Sequence, residues 1–77
     1  MVIRVNVVGM LQTPNGKKDF EVEVPEGKTV LDLLETIGFQ PRHIPHILTT
    51  VNGRLRHREH VLAVGDAVEL SILLGGG

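Results

Sequence analysis

Helical periodicity occurs once in this sequence. Val30, Leu33, Leu34 and Ile37 fall at i, i+3, i+4 and i+7, on one face of a helix, with Asp32, Glu35 and Thr36 off that face. The other apolar runs alternate with a period of two or are cut by glycine and proline. A lone helix of about nine residues, ~13 Å long at 1.5 Å per residue, is marginal by itself and must be held by packing. One helix covers one face of one sheet. The chain is therefore confined to a two-layer α+β arrangement.

The strands follow from alternation. From Val2 to Gly9, Ile3, Val5 and Val7 point one way and Arg4 and Asn6 the other. Thr13-Pro14-Asn15-Gly16 is a turn signal. From Lys18 to Val24, Phe20, Val22 and Val24 face inward while Asp19, Glu21 and Glu23 face water, predicting an antiparallel hairpin with one wet face. Thr29 stands at the N-cap position, with Asp32 three residues on as a capping box with a short acid, and Gly38 stops the helix. Pro41 and Pro45 predict an irregular connection over residues 39–46. Ile47–Val51 reads as a third strand closed by the hairpin signal Asn52-Gly53, and 54–60 as a short strand with a loop. Gly65-Asp66 is a further turn before the last strand, 67–73, with Val68, Leu70 and Ile72 inward. The order is β-β-α-β-(β)-β, one helix on one mixed sheet, an α+β roll of the β-grasp kind. It divides into a folded domain, residues 1–73, and a flexible glycine tail, residues 74–77.

Composition excludes several functions. A chain of 77 residues is one domain, and a domain of this size buries roughly 60% of its unfolded surface, too little for a deep walled cavity. A formal charge of −1 and 3% aromatic residues argue against nucleic acid. With no cysteine there is no disulfide, thiolate metal site or cysteine nucleophile. No apolar run approaches the roughly 18 residues of a membrane span, and the strand-like amino terminus is unlike a targeting peptide, so a cytoplasmic location is expected. There is no Gly-x-Ser-x-Gly motif, and Gly27-Lys28-Thr29 matches only the last three letters of a P-loop. The chain is expected to be a carrier and substrate, not an enzyme.

Val51-Asn52-Gly53, Gly65-Asp66 followed by Val68, and Gly76-Gly77 at the end of the sequence together resemble the ubiquitin-like sulfur-carrier proteins, the ThiS type of thiamine biosynthesis and the MoaD type of molybdopterin biosynthesis. The tail lacks the proline pair usual in the MoaD type and leans toward ThiS. The long first hairpin, Gly9 to Lys18, leans the other way. The resemblance implies that the Gly77 carboxylate is adenylated by an E1-like enzyme. A persulfide donor then supplies sulfur, and a sulfur-accepting synthase consumes the resulting thiocarboxylate. ATP belongs to the activating partner, and no cofactor is expected on the chain itself. A ubiquitin-like modifier joined to lysines through Gly77, or a β-grasp binding module with an inert tail, are the alternatives.

The tail residues suit that chemistry. A carboxylate repels nucleophiles and has a poor leaving group, and adenylation cures both faults. Gly75 and Gly76 lack Cβ, so the backbone can thread a narrow channel. Extended, residues 74–77 reach at most ~14 Å. Leu74, beside the tail, is a candidate docking residue for the partner, with edge packing as the alternative. His43/His46 and His57/His60 are spaced by three, but a stable metal site needs three or four ligands, so no metal is expected. Arg54, Arg56 and Arg58 would share one face if they lay on a strand, either as an anion- or partner-binding stripe or as a solvated edge. Asp19, Glu21 and Glu23 offer an acidic face of the same ambiguity.

Overall fold

Strands β1 (Val2–Val7) and β2 (Asp19–Glu23) pair antiparallel, with Ile3 opposite Val22 and Val5 opposite Phe20. A computed structural model describes residues 1–72. Helix α1 (Val30–Ile37) follows, then a 3-10 helix (Ile44–His46), β3 (Ile47–Val51), β4 (Arg54–Leu55) and β5 (Ala67–Ile72). The strands form one five-stranded sheet in the order β2-β1-β5-β3-β4, mixed because β1 and β5 run parallel while the other pairs are antiparallel. This is the α+β β-grasp arrangement that the alternation pattern implies.

The buried residues come from the faces that periodicity assigns. Ile3, Val5, Val30, Leu33 and Leu70 are fully buried, with Leu34 and Val68 nearly so. Phe20 and Val22 are only half-buried because β2 is an edge strand. Each fully buried Val, Leu or Ile contributes about 1.5–3 kcal/mol, enough for Val30, Leu33 and Leu34 together to hold a helix that would not form alone. Residues of the connections complete the core: Leu11, Phe39 and Leu62 from loops and Ile44 from the 3-10 helix are buried too.

Both ends of α1 are satisfied. The Thr29 hydroxyl accepts from the Asp32 amide at 3.2 Å, and the Asp32 carboxylate accepts from the Thr29 amide at 2.9 Å, the expected capping box. The Val30 and Leu31 amides donate to the carbonyls of His60 and Arg58, at 2.9 and 3.0 Å. At the far end Gly38 has φ +110°; its amide donates to the Glu35 carbonyl and the Phe39 amide to that of Leu34, a Schellman motif.

Two expectations need correction. Residues 43–46 are not wholly irregular: His46 N–H donates to His43 C=O at 3.0 Å, and Ile44–His46 form the 3-10 helix. Pro45 fits there because the first turn of a helix leaves its N–H groups without intrahelical acceptors. The strand after Asn52-Gly53 stops at Leu55, so Arg54, Arg56 and Arg58 do not lie on one strand. The backbone turns away because the Arg58 and His60 carbonyls are drawn to the helix N-terminus, where unpaired amides are strong donors.

Candidate functional site

The residues expected to carry the chemistry, Gly75, Gly76 and Gly77 with Leu74 beside them, lie outside the described residues, as does Leu73. What the structure describes is the root from which they continue. β5 is the central strand of the sheet, bonded to β1 on one side and β3 on the other, with Ile47 opposite Ile72. The Val8 amide donates to the Leu70 carbonyl at 2.9 Å, extending the β1 contact to the exit of the strand. The root of the C-terminal segment is therefore fixed from two sides.

The entry of β5 is fixed by a polar latch. Asn52 and Gly53 have φ of +53° and +84°, the left-handed pair of a type I′ hairpin turn. The same Asn52 donates from Nδ2 to Asp66 Oδ1 at 2.8 Å and accepts at Oδ1 from the Ala67 amide at 2.9 Å. Asp66 Oδ2 accepts from the Ala63 amide at 2.7 Å, and the Asn52 amide donates to the Ala67 carbonyl at 2.8 Å. Asp66 is nearly buried, 9% exposed. The Asn52-Gly53 and Gly65-Asp66 turns, 14 residues apart between Asn52 and Asp66, are thus one unit that seats the last strand. Sequence reading found both turns without their connection; the only available signal was an Asn and an Asp, each able to bond backbone and side chain alike.

The remaining candidates are dispersed. Asp19, Glu21 and Glu23 are exposed on the edge strand β2, where Asp19 takes a bidentate contact from Arg4 at 3.0 and 3.2 Å. That hydrogen-bonded carboxylate holds the Arg4 guanidinium above its ordinary pKa. The amide and hydroxyl of Thr29 hold the Asp32 carboxyl below the usual carboxylate range. Arg54, Arg56, His57 and Arg58 are exposed at the opposite edge of the sheet. Among the described residues no three His, Asp or Glu side chains are grouped to hold a metal, and no helix is long and apolar enough to cross a membrane.

A comparison with known families decides the assignment. The ThiS family profile matches residues 5–77, from the first strand through the glycine run. The chain belongs to the ThiS family. Solved structures agree on the fold of this ThiS-family chain. SAMP1 from Haloferax volcanii superposes with a TM-score of 0.79 at 21% identity, covering all of both chains. A second structure, of the H. volcanii small archaeal modifier protein 1, gives 0.75 at 20% identity over 92% of this chain and 95% of that one. A complex of subunits 1 and 2 of the molybdopterin-converting factor from Helicobacter pylori 26695 gives 0.58 at 18% identity over the full length of both chains. No curated protein sequence matches the chain.

Proposed function

We propose that the protein is a sulfur carrier whose folded part presents residues 74–77 to other proteins and whose Gly77 carboxylate is the reacting group. An E1-like enzyme transfers adenylate from ATP to that carboxylate with release of pyrophosphate. The outer sulfur of a persulfide donor then displaces AMP at the carbonyl carbon. A thiol of the sulfur-transfer machinery cleaves the resulting acyl disulfide, releasing the thiocarboxylate and leaving a disulfide. The thiocarboxylate serves a synthase of thiamine or molybdopterin biosynthesis. In this scheme the chain is a substrate throughout. Gly75 and Gly76 thread the activating site, and Leu74 contributes to docking. One observation carries the reading: the ThiS family match continues through the glycine run to Gly77. The structure adds a reason for the scaffold, since the segment grows from the central strand, latched at its entry by Asp66 and held at its exit by β1 and β3.

The full-chain overlap with the small archaeal modifier favours a second reading, an isopeptide bond from Gly77 to lysines of other proteins. Intact-mass spectrometry after incubation with ATP, the activating enzyme encoded in the same genome and sulfide separates the two. Exchange of oxygen for sulfur at Gly77 supports the carrier, and adducts on other proteins' lysines support the modifier. An unchanged mass beside an active enzyme overturns both and leaves a β-grasp binding module. Deleting Gly77 should abolish activation, and Gly76→Trp should impair it, with neither changing the melting temperature.

A further inference from the structure

Three arginines, Arg54, Arg56 and Arg58, fall within one short segment and have no part in the chemistry at Gly77. After β4 ends at Leu55, the backbone of this segment is tied inward. Arg56 N–H donates to Thr49 C=O at 2.9 Å, and the carbonyls of Arg58 and His60 accept from the helix amides. With the backbone so committed, the side chains of Arg56, His57 and Arg58 point outward and are exposed. Among the described residues the one ion pair is Arg4–Asp19, so Arg56 and Arg58 are in no ion pair, and the neighbouring exposed carboxylate, Glu59, offsets one of their two charges without closing on either.

Beside them runs an open groove of about 350 Å³, its apolar lining given by Ile44, Ile47, Leu48 and Leu55 and its charged lining by Arg56, Arg58 and Glu59, a net positive set. Leu55 is 65% exposed, a large apolar side chain standing among charges. The protein's own acidic strand, β2, is at the other edge of the sheet, four strand spacings away. That is about 19 Å at ~4.8 Å per strand, more than twice the ~8 Å screening length at physiological salt, so it does not cancel the field at the groove. The groove also borders β3, whose Ile47 lies opposite Ile72 at the root of the C-terminal segment.

We propose that this groove docks an acidic segment, carrying an apolar anchor residue, of a protein that handles the C-terminus; the idea rests on the carrier reading above. Carboxylates pair bidentately with Arg56 and Arg58, and the anchor covers Leu48 and Leu55. The apolar floor and the lack of tyrosine or tryptophan for stacking favour a polypeptide over a nucleic acid.

The test is an NMR titration of the ¹⁵N-labelled full chain with a short synthetic peptide of alternating glutamate and leucine. Amide shifts are expected at Leu48, Thr49 and from Leu55 to Glu59, fading as salt is raised. Arg56→Glu with Arg58→Glu, and separately Leu55→Ser, should each weaken binding at least about tenfold while leaving the rest of the spectrum in place. The proposal is overturned by an absence of shifts, by equal binding of a lysine–leucine peptide, or by an oligodeoxythymidylate that competes on equal terms. It is also overturned by concentration-dependent shifts of β2 and the groove without peptide, which would mean a second copy of the chain. A chain lacking Gly77 should bind the peptide unchanged. Should the double arginine variant lose the peptide yet be activated at the normal rate, docking fails and the Gly77 chemistry stands. An unmodified Gly77 in the unaltered chain would overturn that chemistry and leave the titration result intact.

Discussion

Replacing Asp66 by alanine removes the acceptor at the centre of the latch that seats β5. Its two oxygens accept from Asn52 Nδ2 at 2.8 Å and the Ala63 amide at 2.7 Å. Bonds to a charged group contribute about 1.5–3 kcal/mol each. With Asp66 at 9% exposure, water can reach the freed donors in part, so the sum is placed at its lower end, about 3 kcal/mol. That is a large share of the roughly 4–12 kcal/mol expected of a chain this size at 0.05–0.15 kcal/mol per residue. At ~4–8 °C per kcal/mol for a small domain, melting should fall by about 12–24 °C. The chain has neither tryptophan nor tyrosine, so unfolding is followed by far-ultraviolet circular dichroism in urea. A double-mutant cycle with Asn52→Gly isolates the pair, glycine being chosen because φ is +53° at this position. A coupling of at least about 1 kcal/mol is expected. A loss below about 1 kcal/mol for Asp66→Ala, or strictly additive single variants, would refute the latch.

Thr29→Ala should cost about 1 kcal/mol, measured by urea unfolding. Because Thr29 holds the folded-state pKa of Asp32 below its unfolded value, this contribution is complete above the ordinary aspartate pKa of about 4 and is lost as pH falls through the folded value; Asp32→Asn should flatten that acid limb of stability against pH. Gly38→Ala should cost about 1–2 kcal/mol in the same assay, since φ is +110° and an added Cβ would lie 3.3 Å from Pro14 Cβ. Leu33→Ala, at a fully buried position under the sheet, should cost about 2–5 kcal/mol, and calorimetry should show a broadened or missing transition if the stability is at the lower end of its range.

Local patterns made most of the scaffold legible. The alternation at Ile3, Val5 and Val7, the helical spacing of Val30, Leu33, Leu34 and Ile37, the Thr29–Asp32 box and the Gly38 stop each depend on residues within a few positions of one another, and the structure shows them all. The 3-10 helix at Ile44 escaped notice because Pro45 reads as a breaker, although a proline is tolerated in a first turn.

The candidate site divides along the same line. The glycine run at 75–77 is visible as letters and lies outside the described residues, so its reading rests on family membership and chemical need. The acidic β2 and the arginine segment were equally visible, but not that they stand at opposite edges of one sheet, since strand order is decided by pairing between distant segments.

From the sequence alone came the strands and the α-helix, their inward faces, both hairpin turns and the family motifs, because each is an interaction of short range along the chain. Tertiary structure alone joined Asn52 to Asp66, buried Leu11, Phe39, Ile44 and Leu62 from the connections between the main elements, and bent the arginine segment off β4 to complete the helix N-terminus. The physical reason is that hydrogen bonds and burial are satisfied by whichever groups folding brings within reach, and no periodicity along the chain records which those will be.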